Sequence, residues 1–408
     1  MALSYLHPGV YVEEVPGGTR SIQALGTSVA AFVGITPDPT KHLHQAVAVH
    51  NWTEFLREFV SKDSPSTPLS NAVYGFFQNN GGRCFVVNVG AGGLVSGGGR
   101  GGRKGVDVLE EIDEVSMVAC PGFWDAESYD AVLTHCEKMR FRVGLLDAPP
   151  DVTNVSLLTQ VATAKPSAAA AGADKDKPAA ANLRGVKPRK SDGGHGSFFF
   201  PHLVVRDALD PGRTVAVPPS GHLAGIYART DAVRGVHKAP ANEIIRGALD
   251  VTYHVTAEEQ GLLNPQGVNC LRLFGADGVR VWGARTLADA ASEWRYTPVR
   301  RLFAMMEHSI ARGTQWVVFE PNSRPLWKAV ERDITAFLTL IWRQGALMGD
   351  TPEQAFFVKC DEETNPPDVV DAGQVVTLVG CAPVKPAEFV VFRIGQTALG
   401  AEVGPEKA

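Results

Sequence analysis

Chemistry-bearing residue types gather at a few places in this chain. The first is Gly90–Gly105, with nine glycines and the ending Arg103-Lys104-Gly105. A glycine loop can cradle phosphate, because its backbone N–H groups close on the anion while a lysine neutralises it. Here the spacing fails: no GxxxxGK[ST] run is present, and Lys104 is followed by Gly105 and Val106, so the magnesium-binding hydroxyl is missing. No helix is expected directly behind it, and a flexible loop is the reading. Ser220-Gly221-His222 puts a nucleophile beside a base. Neighbours this close do not reach triad geometry, and no GxSxG elbow surrounds them, so Ser220 reads as a helix N-cap. His42 and His44 sit in a Pro/Lys-rich loop, and His135-Cys136 is an isolated pair; neither has four-ligand metal spacing. Asp361-Glu362-Glu363 lacks the alternating ligands of a calcium loop. No catalytic, cofactor-binding or metal residue is assigned, and the chain is not expected to be an enzyme.

Composition points the same way. The 408 residues suggest two or three domains. A net charge of −5 argues against a general polyanion binder and so against nucleic acid. No run of 18 apolar residues occurs, so direct membrane insertion is not expected, and the N-terminus lacks the basic-then-apolar order of a secretory signal. The six cysteines are widely spaced and read as buried free thiols in a reducing compartment. The 42 glycines and 27 prolines make 69 of 408 residues, against a usual share of about 12%. That excess belongs in loops, turns and linkers.

The elements that must position these residues follow from periodicity. Val10-Tyr11-Val12-Glu13-Glu14-Val15, between Pro8-Gly9 and Pro16-Gly17-Gly18, reads as a strand standing apart from the next element. Ser28–Ile35 is a second strand. Trp52, Phe55, Leu56 and Phe59 recur at helical spacing, and Leu69–Asn79 forms another helix. Strand Cys84–Val89, strand Val115–Ala119, helix Ala126–Met139 and strand Phe141–Leu146 give the α/β pattern with a largely parallel sheet. Residues 163–196 read as a long surface insertion, with ten alanines among residues 162–181. Strands Phe198–Phe200 and Leu203–Val205 resume at once, a helix follows at His222–Thr230, and Val236–Leu263 is turn-rich. Asn269–Phe274 and Val279–Gly283 form a hairpin. From residue 297 an amphipathic helix Thr297–Arg312, a strand Trp316–Phe319, a long helix Pro325–Met348 and strands Phe356–Cys360, Val375–Cys381 and Phe389–Ile394 make an α+β unit.

At this point the sequence resembles contractile tail sheath proteins. The resemblance rests on Pro8–Pro16 with Gly26–Gly34, on Val217-Pro218-Pro219-Ser220-Gly221-His222-Leu223-Ala224-Gly225-Ile226-Tyr227-Ala228-Arg229, and on Lys238–Glu243. Trp282–Thr286, Glu293–Tyr296, Val299–Phe303 and Thr314–Asn322 complete it, in the family's order. It spans nearly the whole chain except 90–105 and 163–196.

The resemblance implies an outer α/β domain (21–265) and a C-terminal, tube-facing α+β sheath domain (266–384), to which 21–35 is a candidate contributor. N- and C-terminal arms (1–20 and 385–408) flank them. Sheath subunits stack as hexameric rings around an inner tube and contract from a metastable extended state without chemical fuel. Their arms add strands to neighbouring subunits by pairing at a sheet edge. The linking strands would be Val10, Tyr11, Val12, Glu13, Glu14 and Val15 at one end. At the other they would be Phe389, Val390, Val391, Phe392, Arg393 and Ile394. Lys328, Arg332 and Arg343 on the polar side of the long helix are candidate inner-tube contacts, with an ordinary solvated face as the plain alternative. Pro383 and Pro386 read as stiff turns or hinges at the arm, and Lys238–Glu243 as packing between domains. Partners would be the chain itself, the inner tube, and baseplate and terminal cap proteins. Assembly would take place in the bacterial cytoplasm, with release as an extracellular particle open. A contractile-tailed phage is the alternative host of such a sheath; an α/β nucleotide-binding enzyme and a monomeric binding module are more distant rivals.

Overall fold

Strand β1 (Ala30–Gly34) is buried at every position, and a strand of that kind needs cover on both faces. Ala30 and Phe32 enter one core while Ala31 and Val33 enter another, as a side-chain period of two dictates. In the computed structural model, residues 21–97, 102–163 and 185–389 are described. After β1 come β2 (Ala46–Val49), α1 (Trp52–Phe59), α2 (Pro68–Gln78), β3 (Cys84–Asn88), the short β4 (Ser96–Gly97) and β5 (Lys104–Gly105), β6 (Met117–Ala119), α3 (Ala126–Met139) and β7 (Val143–Asp147). Next are β8 (Gly196–Phe200), β9 (Leu203–Arg206), β10 (Thr214–Val217), α4 (Ser220–Arg234), β11 (Ala248–Val251), α5 (Ala257–Leu263), β12 (Val268–Leu273) and β13 (Val279–Trp282). The C-terminal part holds α6 (Thr297–Gly313), α7 (Arg324–Arg343), α8 (Pro352–Ala355), β14 (Phe356–Lys359), α9 (Pro367–Asp371) and β15 (Leu378–Cys381).

Eight strands form one mixed sheet in the order β13-β12-β8-β7-β6-β1-β3-β2. Its centre is parallel, and each edge strand is antiparallel to its neighbour. Helices α1, α2 and α4 cover one face, and α3 covers the other. The helix starts are locally encoded. Asn51 caps α1 by accepting from Glu54 N, Thr67 and Ser70 form a capping box on α2, and Asp125 caps α3. Helices α2 and α4 cross at backbone contact. A Cβ at Gly221 would lie 2.2 Å from the Ala72 oxygen, and one at Gly225 would lie 2.5 Å from the Phe76 oxygen. Only glycine allows that approach, which accounts for the spacing in Gly221-His222-Leu223-Ala224-Gly225.

A third core belongs to the C-terminal unit. Leu302, Met305 and Met306 of α6 meet Val330, Ile334, Phe337, Leu338 and Ile341 of α7, with Phe356 of β14. Ile22 joins this core from the other end of the chain. Gly345, in the left-handed region at φ 77°, follows the last turn of α7, so the helix stops at Arg343 rather than at Met348.

The structure corrects several expectations. Strands β12 and β13 do not join the C-terminal unit: β12 pairs with β8 and so lies in the large sheet. The boundary expected at 265/266 therefore falls after β13. The 21–35 contribution divides, with β1 central in the large sheet and Ile22 in the third core. Trp316–Phe319 is not a strand. Gln315–Val317 makes a tight 3₁₀ turn, and Phe319 is fully exposed at φ 70°. Because α6 and α7 share one core, the chain must reverse between them, and four apolar residues do not resist that. The 163–196 insertion is shorter than expected. Ala162 bridges to Gly185 and Val161 to Lys187, and Lys187, Ser191 and His195 are buried. Val236–Leu263 holds β11 and α5 as well as turns. A 3₁₀ segment, Val106–Glu111, does follow the glycine loop, and its first turn carries Asp107.

Candidate assembly interface

Strands β14 and β15 pair antiparallel, Phe356 with Cys381 through Lys359 with Leu378. Among the described residues they form a two-stranded sheet. Two strands with one helix behind them are a minimal unit, and among the described residues both outer edges keep backbone groups without a ladder partner. The face turned away from α7 carries Phe357, 53% exposed, and Leu378, 52% exposed, beside Lys359. Inside, Phe356 is buried against α7. The expected linking strands lie largely outside the described residues, including Val10–Val15 and Val390, Val391, Phe392, Arg393 and Ile394. Phe389 is described; it is exposed and in no strand.

Before each arm, the chain is fastened. On the N-terminal side Ile22 sits against Gly313 of α6, and Leu25 N donates to Ser309 Oγ at 2.9 Å. Thr27 Oγ1 donates to Asp231 Oδ2 at 2.5 Å, and Arg301 Nη2 donates to the Thr27 carbonyl at 3.0 Å. Arg301 and Asp231 form a buried ion pair at 2.6 Å, with the guanidinium over the Tyr227 ring. This pair joins α6 to α4 and so couples the two units. A His308–Phe141 stack at 4.5 Å and a Ser197–Thr297 hydroxyl contact at 3.0 Å reinforce the junction.

On the C-terminal side, Ala382 N donates to the Ala355 carbonyl and Val384 N to the Ala346 carbonyl. Four residues later the Glu388 carboxylate receives Arg285 through two N–H groups at 2.9 and 2.6 Å. Asn264 Nδ2 adds a bond at 2.7 Å and the Tyr296 hydroxyl one at 3.3 Å. Burial pushes this carboxyl up, but the donors outweigh it and its pKa is lowered. Pro383 and Pro386 therefore lie in a fastened segment rather than at a free hinge.

The candidate tube contacts lie on the exposed side of α7. Lys328 Nζ pairs with Glu331 at 2.6 Å, Arg332 Nη2 pairs with Asp333 at 3.1 Å, and Arg343 is exposed in the last turn. Lys238 donates to the Ala239 carbonyl, and Asn242 N and Glu243 O bond Val281, so Lys238–Glu243 packs along β13.

The chemistry-bearing residues have structural uses. Ser220 does not cap α4; it is the first helical residue. Asp147, at the end of β7, accepts from Ser220 N at 2.8 Å and from Ser220 Oγ at 2.6 Å, so a sheet carboxylate caps the helix. Burial pushes Asp147 up to about 7, against the hydrogen bonds from Ser220. His222 is fully buried at the α2 crossing, and burial pushes it down to about 4. Asp107, Glu110 and His135 offer ligand atoms within 4.8 Å of one another. Arg142 donates to His135 Nε2 at 2.8 Å, so the neutral ring carries its hydrogen on Nδ1 and has no lone pair left for a metal. Asp107 already accepts from Gly97 N, and Glu110 pairs with Lys138. The donor set does not fit a cation.

Sequence reasoning missed Asp231, Arg301, Arg285 and Glu388. One signal was present: Arg300-Arg301 lies between Val299 and Leu302, on a helix whose apolar face must be buried.

Comparison with known proteins gives a consistent result. The family model of the phage tail sheath protein central domain matches residues 98–287, and that of the phage tail sheath C-terminal domain matches residues 289–397. The sheath complex of the extracellular contractile injection system PVC, in the contracted state, superposes with a TM-score of 0.75 at 28% identity, covering 97% of this chain and 99% of that one. The contracted helical sheath of the anti-feeding prophage (AFP) gives 0.71 at 30% identity, covering 97% and 100%. The tail sheath protein of Vibrio phage KVP40 is 28% identical over 189 residues, 46% of this chain and 27% of that protein. The matched region thus spans well under half of that phage relative. On the two domain matches and the full-length structural agreement, the chain belongs to the phage tail sheath family.

Proposed function

We propose that this chain is the sheath subunit of a contractile injection system. It polymerises as stacked hexameric rings around an inner tube and contracts from a metastable extended state to drive that tube through a target envelope. The observation that carries this is the β14–β15 sheet, which among the described residues ends as two strands with open edges and exposes Phe357 and Leu378. In this reading the arms of neighbouring subunits, Val10–Val15 and Phe389–Ile394, complete it. A five-residue strand adds about five main-chain bonds, each worth roughly 0.5–1.5 kcal/mol net. The C-terminal unit faces the tube through Lys328, Arg332 and Arg343, and the large-sheet domain lies outside. Inner tube, baseplate and cap proteins are the partners; baseplate structures of AFP contain a chain similar to this one. Assembly takes place in the bacterial cytoplasm, and the particle is released.

A phage tail is the second reading. The injection-system reading is favoured because those sheaths match end to end, whereas the KVP40 sheath shares only part of its length. Deleting residues 1–18 tests the linkage. The truncated chain should keep the melting temperature of the full chain and fail to form ordered sheath in electron micrographs. Long, contraction-competent tubes from the truncated chain would overturn strand linking.

A further inference from the structure

Between Val384 and Phe389 the chain leaves the C-terminal unit and crosses to the large-sheet domain. Glu388 ends that crossing in a half-buried site, with its side chain 19% exposed and that of Arg285 13% exposed. Both carboxylate oxygens are occupied, by donors from three separate stretches of the chain. The two-pronged arginine contact fixes direction as well as distance, because its paired N–H groups match both oxygens in one plane. Arg285 is itself held, since its backbone N–H and carbonyl both bond the Asn269 side chain on β12. The next residue, Phe389, is 74% exposed.

We infer that Glu388 and Arg285 form the anchor of the C-terminal arm, setting where it departs and passing its load to the large sheet. The inference rests on the reading that this arm links subunits. Without the anchor, tension on the arm would pass the solvent-exposed Lys385–Glu293 pair at 3.1 Å and act on Ala382 and Val384, peeling them from Ala355 and Ala346. With it, tension stops at Glu388 and enters β12. The pivot of the arm is at Phe389, beyond both prolines. Glu388 is a positioning residue: it needs no contact with a neighbour to decide whether the arm reaches one.

The test compares the full chain with E388Q, which keeps the side-chain shape and removes the charge. Hydrogen exchange on the soluble protein should quicken by roughly tenfold or more at residues 382–388 and stay unchanged in the large sheet. Tube yield in electron micrographs should fall by a similar factor while the melting temperature holds. Wild-type tube yield from E388Q would overturn the anchor, as would tube loss without faster exchange at 382–388. Should E388Q fail to fold, Arg285→Lys keeps the charge but loses the fork, and the same two readouts decide. A chain cut after Phe389 separates the two claims. If it forms tubes, subunit linking by this arm falls. If it does not while E388Q does, only the anchor falls.

Discussion

Buried polar residues carry much of this molecule's design. Asp147 serves as the cap that α4 lacks in its own sequence, and Arg301 with Asp231 joins the two units. His202 and His222 are buried and neutral, and burial pushes each down to about 4. Their folded pKa lies below the unfolded value of about 6.5, so their stabilisation is complete above that pH and is lost as pH falls toward 4. Each is worth on the order of 3 kcal/mol over that window. Asp147 works in the opposite sense, because its raised pKa favours the fold below the ordinary carboxylate range and loses that as pH rises through about 7. Burial also pushes His135 down to about 4 and lowers His195, so the histidines outweigh Asp147: the unassembled chain should lose urea resistance between pH 6.5 and 4.5, and His202→Asn should flatten the curve. A profile that is flat or rises toward acid would contradict this. These roles were hard to read from sequence because they depend on partners far along the chain: Asp147 and Ser220 are 73 residues apart, and Arg301 and Asp231 are 70 apart.

At the scale of elements, periodicity was legible where local signals agreed with tertiary demand. The periodicity over Ala126–Met139 matches the helix at both ends, where the structure adds Asp125 as its cap, and short buried runs mark the parallel strands. Trp316–Phe319 failed because four apolar residues look alike in a strand and in a turn. The alanine-rich insertion is shorter than its composition suggests because residues 185–195 have a loop's composition yet bury Lys187, Ser191 and His195. Glu137 receives Arg189 at 2.9 Å and Ser191 Oγ at 2.7 Å, which ties this stretch to α3. Since Ala162 and Gly185 are bridged, replacing 164–184 with a three-residue Gly/Ser link should cost less than about 1 kcal/mol. Extending the deletion to residue 195 should abolish cooperative melting. Calorimetry of the two variants checks this, and equal melting would contradict it.

At the scale of the whole molecule, two units are coupled through α6, and among the described residues a small sheet is left open. The mixed α/β class and the family were legible in the sequence blocks. The division between units was not, because a hairpin next to an α+β unit gives no local sign of which sheet it joins. Among the described residues no helix is long and apolar enough to cross a membrane. The exposed Phe357 and Leu378 give such a subunit reason to associate, because solvent-facing apolar side chains on strands whose edges are free among the described residues seek cover. The excess of glycine and proline has several separate uses: the α2–α4 crossing, the loop 90–105 and turns such as Gly345. Electron microscopy of the purified full-length chain tests the central claim most directly. Hollow helical tubes built from stacked rings are expected; discrete monomers at concentrations where the chain is folded would contradict it.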